Sequence, residues 1–103
     1  MADPMKIRAN LVVDATEVKV LMSHEMETGQ RKDAAGKVVP AWFIQTVTAT
    51  HNGKVVLTAH WGPAVAKNPF MSFRFKGGAK GDKVQVTWVD NKGDKRTDEA
   101  TVS

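Results

Sequence analysis

The residues of this chain whose types could do chemistry are His24, His51 and His60, with Ser23 beside the first and Glu25 and Glu27 following it. Cysteine is absent, which removes disulfides, thiolate nucleophiles, iron–sulfur clusters and zinc sites with sulfur ligands. His51 and His60 fall on one face of an extended hairpin, but an offset of six residues is roughly 20 Å at ~3.4 Å per residue, too far to share a metal. His24 has no second histidine at ligand spacing. Ser23 and His24 could be a nucleophile and its base, yet neighbours in extended chain point apart, and no acid or oxyanion motif frames them. Glu25 and Glu27 likewise lack a frame for acid–base work and read as a solvated loop. Gly77-Gly78-Ala79-Lys80-Gly81 resembles a phosphate cradle only superficially: Asp82 follows where a phosphate loop needs Ser or Thr, and a strand follows in place of a helix. It reads as a flexible turn. No catalytic residue, cofactor site or metal ligand is assigned, and the chain is not expected to be an enzyme.

The elements that hold these residues are strands. The chain has 103 residues, 42% hydrophobic and 25% charged, which fits one globular domain spanning 1–103 and excludes a disordered or coiled-coil chain. Met5, Ile7, Ala9 and Leu11 alternate with Lys6, Arg8 and Asn10, and Val18, Val20 and Met22 alternate in the same way. That is the period of half-buried strands. Further strand-like runs lie near 42–51, 54–61, 69–76, 82–90 and 94–101. Asn52-Gly53 and Asp90-Asn91-Lys92-Gly93 are tight-turn signals, and Asn68-Pro69 is a break. No stretch shows helical periodicity with caps. About seven short strands predict an all-β fold, an immunoglobulin-like antiparallel β-sandwich. The disulfide and tyrosine corner of antibody domains are excluded, because Cys and Tyr are both 0.

Ser23 to Ala41 breaks the alternation and is expected to be a functional loop between the second and third strands. The turn at Asn52-Gly53 sets a register of His51 with Lys54 and Thr50 with Val55, then Ala49 with Val56, Thr48 with Leu57 and Val47 with Thr58. In that register Trp42, Ile44, Val55, Leu57, Ala59 and Trp61 belong to the core. Phe43, Val47, Ala49 and Val56 fall on the second face, too apolar for solvent alone and expected to be covered by another chain.

Charge is unevenly placed. Lys67, Arg74, Lys76, Lys80 and Lys83 face Asp82 alone within 67–83, a net +4 that equals the excess of the whole chain. With Phe70, Phe73 and Phe75 interleaved, this stretch admits a rival reading, a small basic domain that binds single-stranded nucleic acid. Met71, Phe73 and Phe75 share one strand face, however, and read as core, which favours an acidic partner over nucleic acid. The N-terminus has no cationic segment followed by an apolar run, and no run approaches the ~18 residues of a spanning helix. Taken alone, this predicts no membrane association and a cytoplasmic location.

The loop Ser23-His24-Glu25-Met26-Glu27-Thr28-Gly29-Gln30-Arg31-Lys32-Asp33-Ala34-Ala35-Gly36-Lys37-Val38-Val39-Pro40 closely resembles the signature of the SoxZ family. Pro63-Ala64-Val65, Asn68-Pro69-Phe70 and Thr87-Trp88-Val89-Asp90-Asn91-Lys92-Gly93 resemble the same family. The resemblance implies a noncatalytic subunit of the thiosulfate-oxidation carrier complex. It would be a heterodimer with SoxY, whose C-terminal Gly-Gly-Cys-Gly-Gly arm carries covalent sulfur intermediates among the Sox enzymes. It also implies a periplasmic location reached on the leader of SoxY, and transient contact with other Sox enzymes. Within it, Phe43, Val47 and Val56 are expected as apolar contacts, and His24, Met26 and Arg31 as residues of the loop presented to a partner.

Overall fold

The computed structural model describes residues 4–62, 65 and 67–103. The alternating runs form seven strands: β1 (Lys6–Val12), β2 (Ala15–Leu21), β3 (Ile44–His51), β4 (Lys54–His60), β5 (Phe70–Lys76), β6 (Lys83–Asp90) and β7 (Lys95–Thr101). Every pairing is antiparallel, in a three-stranded sheet β1-β2-β5 and a four-stranded sheet β4-β3-β6-β7. The fourth strand lies beside the third, whereas antibody constant domains place it in the opposite sheet. The described chain has no helix.

The inward faces follow from period-2 patterning. Ala9, Val18, Val20 and Phe75 of one sheet meet Ile44, Val47, Ala49, Val84, Val86 and Trp88 of the other. β1 and the tail beyond β7 lace the two sheets along one flank. Leu11 N–H donates to the Ser103 carbonyl (3.1 Å), Ser103 N–H donates to the Ala9 carbonyl (3.0 Å), and Val102 is buried between them. The opposite flank is left with two strand edges, β4 and β5.

Two register shifts correct the expected faces of the β3–β4 hairpin. His51 pairs with Lys54 and Thr50 with Val55 as the turn predicts, but Ala49 then pairs with Leu57, Thr48 with Thr58 and Val47 with Ala59. Val56 is the extra residue of a bulge, and bulges reset which face the following side chains occupy. A second shift lies between β3 and β6, where Ile44 pairs with Asp90 but Thr46 with Val89. Gln45 is thereby skipped, so Ile44 and Val47 both point inward. Val47 and Ala49 are 0% exposed and belong to the core, not to an outer face. Val55, expected in the core, stands outside at 57% exposed. Val56 and Phe43 are half-buried and pack against the core.

One glycine is fixed by a close approach. Gly78 has φ +100°, and a Cβ there would sit 2.2 Å from Thr16 Oγ1. Thr16 has no room to yield, being fully buried and donating to the Gly77 carbonyl at 2.8 Å. Gly78→Ala is therefore expected to cost about 2 kcal/mol or more, from steric overlap and a left-handed backbone that alanine resists. Urea unfolding measures this, and a loss below about 0.5 kcal/mol contradicts it.

Candidate functional site

The segment between β2 and β3 is an ordered arm. Glu27 and Trp42 exchange backbone hydrogen bonds (2.6 and 3.0 Å), Val39 N–H donates to the Arg31 carbonyl (2.7 Å), and Asp33 N–H donates to the Lys37 carbonyl (2.8 Å). Two β-bridges, Glu27 with Trp42 and Lys32 with Val38, hold the two limbs antiparallel. Asp33 Oδ1 closes the tip by accepting from the amides of Ala35 (2.9 Å) and Lys37 (3.0 Å), the local bonding by which aspartate favours turns. Strands of seven or eight residues reach about 25 Å. The molecule is 52 Å long, and the arm is its longest stretch outside the strands.

At its root the arm is fastened by a buried polar cluster centred on Asp90, the last residue of β6. Asp90 Oδ2 accepts from His24 Nε2 (3.0 Å) and from the Trp42 indole Nε1 (2.7 Å). Its Oδ1 accepts from the amides of Lys92 (3.0 Å) and Asp94 (2.9 Å) in the turn to β7. His24 and Asp90 side chains are 1% and 0% exposed. His24 Nδ1 accepts from the Met26 amide at 3.1 Å, so the ring proton lies on Nε2 and is directed at the carboxylate. The imidazole sits between two indoles, tilted 4.9 Å from Trp42 and edge-on 5.1 Å from Trp88. Lys92 Nζ lies 4.4 Å over the Trp42 ring. Burial pushes the Asp90 carboxyl up, but the bonds from His24, Trp42 and the amides of Asp94 and Lys92 outweigh it and hold it below the ordinary value.

Backbone contacts extend the fastening. Asn91 accepts at Oδ1 from the Phe43 amide (2.8 Å) and donates from Nδ2 to the Ala41 carbonyl (2.8 Å). On the other side Asn68 accepts at Oδ1 from the His24 amide (3.0 Å) and donates its own amide to the His24 carbonyl (2.9 Å). Met26, in a left-handed conformation at φ +52°, is 5% exposed, and its sulfur accepts from the Ile44 amide at 3.4 Å.

The expected site residues thus separate. His24 and Met26 brace the arm from within, and Val47 lies in the core. Arg31 is on the exposed arm, its Nε bonded to both carboxylate oxygens of Glu27 (3.0 and 2.9 Å); that bond holds the Glu27 carboxyl below its ordinary value. Phe43 and Val56 remain half-exposed at the base of β3 and in the β4 bulge. Asp90, Asn91 and Asn68, which bring the cluster together, read in sequence only as turn and break residues. Nothing local ties Asp90 to a histidine 66 positions away.

The other two histidines lie elsewhere. His51 bonds Asp82 at 2.7 Å and packs tilted against Phe75 with ring centroids 4.7 Å apart, and His60 is exposed on β4. Among the described residues, no three His, Asp or Glu side chains are grouped to hold a metal ion. Met71 and Phe73 pack on the core and Phe75 is buried, so the aromatic interleaving of 67–83 points inward, with Phe70 alone exposed. Pro63 and Ala64, quoted above for the family resemblance, lie outside the described residues.

Fold and arm together define a class: an all-β sandwich whose best-built feature is a projecting arm held by a buried carboxylate. Within that class the chain belongs to the SoxZ family, described as sulphur oxidation protein SoxZ, whose pattern matches residues 5–101. It is thereby a subunit of the Sox sulfur-oxidation system. No curated protein sequence matches the chain. Among solved structures it is similar to a hypothetical protein from Pyrococcus horikoshii OT3, with TM-score 0.63 and 17% identity over 99% of this chain and 89% of that one. It is also similar to a superoxide reductase (neelaredoxin) from Archaeoglobus fulgidus in the reduced form, with TM-score 0.57 and 19% identity over 97% and 86%. A superoxide reductase (neelaredoxin) from Ignicoccus hospitalis gives TM-score 0.56 and 16% identity over 99% and 82%. At these identities the likeness is one of fold.

The cluster predicts an acid-sensitive arm. Asp90→Asn keeps the shape but replaces one carboxylate oxygen by an NH2, which must face either the His24 and Trp42 donors or the amides of Lys92 and Asp94, leaving buried N–H groups unpaired, and is expected to cost about 3 kcal/mol. Because the folded carboxyl lies below its unfolded value of about 3.9, its contribution is complete above that value and is lost as pH falls through the lower, folded one. Urea unfolding between pH 7 and pH 2 should show a shallower acid limb in Asp90→Asn than in the parent. Parallel limbs would refute the assignment.

Proposed function

We propose that this chain is the noncatalytic half of a sulfur-carrier heterodimer. It pairs with SoxY and leaves SoxY's C-terminal cysteine arm free to enter successive Sox enzymes. The observation that carries this reading is the SoxZ match over residues 5–101, joined to an arm whose root is buried and whose flank is exposed. The pair works in the periplasm, exported on the leader of SoxY. This chain's part is to hold and orient, which agrees with a sequence that contains no cysteine to carry sulfur.

The contact surface follows from exposure. Phe43 at the arm end of β3, and Val56 with the 57%-exposed Val55 at the hairpin end, supply apolar points along the length of the β3–β4 hairpin, and Val38 supplies another on the arm at 55% exposed. Arg31 supplies a charged contact at the rim, where arginine is favoured in interfaces. His24 and Met26 act from within, by setting the position of the arm. Val47 contributes only through the core.

Coexpression with tagged SoxY tests the pairing. Phe43→Asp is expected to abolish copurification, because a carboxylate cannot be desolvated against an apolar partner. Val38→Asp and Val55→Asp alter exposed positions and leave the fold intact, and each is expected to weaken the pair about tenfold. Undiminished heterodimer in all three variants, with native circular dichroism, sinks this surface. Failure of the parent chain to copurify sinks the pairing itself.

A further inference from the structure

The outer faces of the two sheets differ in charge. Across the four-stranded sheet, Thr58, Thr48, Thr87 and Thr97 stand in one row, and the lysines at its margin are partly matched, as by Lys83 with Glu99 at 3.9 Å. Across the three-stranded sheet the register builds successive rows: Lys6, Leu21 and Phe70; Arg8, Lys19 and Ser72; Asn10, Glu17 and Arg74; Val12, Ala15 and Lys76. This face carries five cations and one carboxylate. The 67–83 stretch does not act as one patch, since Lys67 pairs with Glu25 (3.3 Å) and Lys83 with Glu99; Arg74 and Lys76 instead join Lys6, Arg8 and Lys19 from two other strands.

Arg8 and Lys19 are directly opposed on adjacent strands, an arrangement that places Cβ atoms about 5 Å apart and repels like charges. Glu17 offsets only part of this. It accepts from Arg74 at 2.7 and 3.0 Å and lies 3.6 Å from Lys19, which leaves Lys6, Arg8 and Lys76 without an acidic partner among the described residues. At one end of the face Leu21, 42% exposed, pairs across the strands with Phe70, 63% exposed. Paired apolar side chains beside a field of cations have the composition of a protein interface, an apolar anchor with a charged surround.

We propose that the outer face of the β1-β2-β5 sheet docks an acidic protein surface, with Lys6, Arg8, Lys19, Arg74 and Lys76 meeting carboxylates and Leu21 and Phe70 the apolar contact. An anionic partner relieves the repulsion between Arg8 and Lys19 that the free chain bears. A protein fits better than single-stranded nucleic acid, because Phe73 and Phe75 point into the core and one exposed aromatic is not a stacking platform. The face lies on the sheet opposite to β3 and β4. The inference goes beyond the pairing with SoxY and does not rest on it.

The full chain, or the heterodimer where it is isolated as one, is titrated with poly-L-glutamate at low and high salt, and in parallel with oligo-deoxythymidylate and phosphatidylglycerol vesicles. The charge-reversed variant Lys6→Glu/Arg8→Glu/Lys76→Glu is compared with Lys54→Glu/Lys83→Glu/Lys95→Glu, which changes net charge equally on the other sheet. Poly-L-glutamate should bind the parent in a salt-sensitive way, weaken about tenfold or more in the first variant, and change less than about threefold in the second. Equal losses in both variants would reduce the effect to net charge and overturn the proposal, as would tighter binding of the parent to the oligonucleotide or the vesicles. The single change Arg8→Ser repeats the test without charge reversal and should weaken binding in the same direction.

Discussion

The arm depends on one buried carboxylate with four donors. Asp90 gathers His24 from the start of the arm, Trp42 from its end, and the amides of Lys92 and Asp94 from the β6–β7 turn. An ionised side chain with no exposure is tolerated only where its lone pairs are filled, and these four bonds fill them. The consequence is geometric: both ends of a long excursion are fixed to one atom group at the corner of the sandwich. Because the two ends are set, the hairpin-like bridges farther out have a defined origin, and the exposed flank is offered at a definite angle.

The strands were legible in sequence because period-2 alternation leaves a mark on every second residue, as in Val84, Val86 and Trp88. Their faces in the β3–β4 hairpin were not. A bulge adds a residue without changing residue types, so Gln45 and Val56 look like ordinary members of their strands while turning Val47 inward and Val55 outward. The cluster at the arm was equally hidden. His24 was visible as a candidate ligand or base, but its role is set by Asp90 and Asn68, which are distant in sequence and carry only turn character locally. Charge follows the same rule: Arg74 and Lys76 lie close in sequence, and only the strand order places Lys6, Arg8 and Lys19 beside them.

Membership of the SoxZ family and the sandwich fold are two separate facts, and neither substitutes for the other. Superoxide reductases share the fold at 16–19% identity, and a likeness of that degree carries no site over to this chain. On that frame this chain displays an arm with Val38 exposed, a threonine row on one sheet, and a basic face on the other. Function on such a frame resides in what is grafted onto it.

The fastening of the arm also sets an order on biosynthesis. His24 leaves the ribosome long before Asp90, and the separation of 66 residues means that the His24 ring and the Trp42 indole have no carboxylate to bond until Asp90 has emerged. A nascent subunit therefore exposes the indole of Trp42 and the imidazole to water while most of the sheet is already translated. The arm takes its set direction only once the β6–β7 turn is in place, so a chain cut short of Asp90 would carry every residue of the arm without the atom group that orients them.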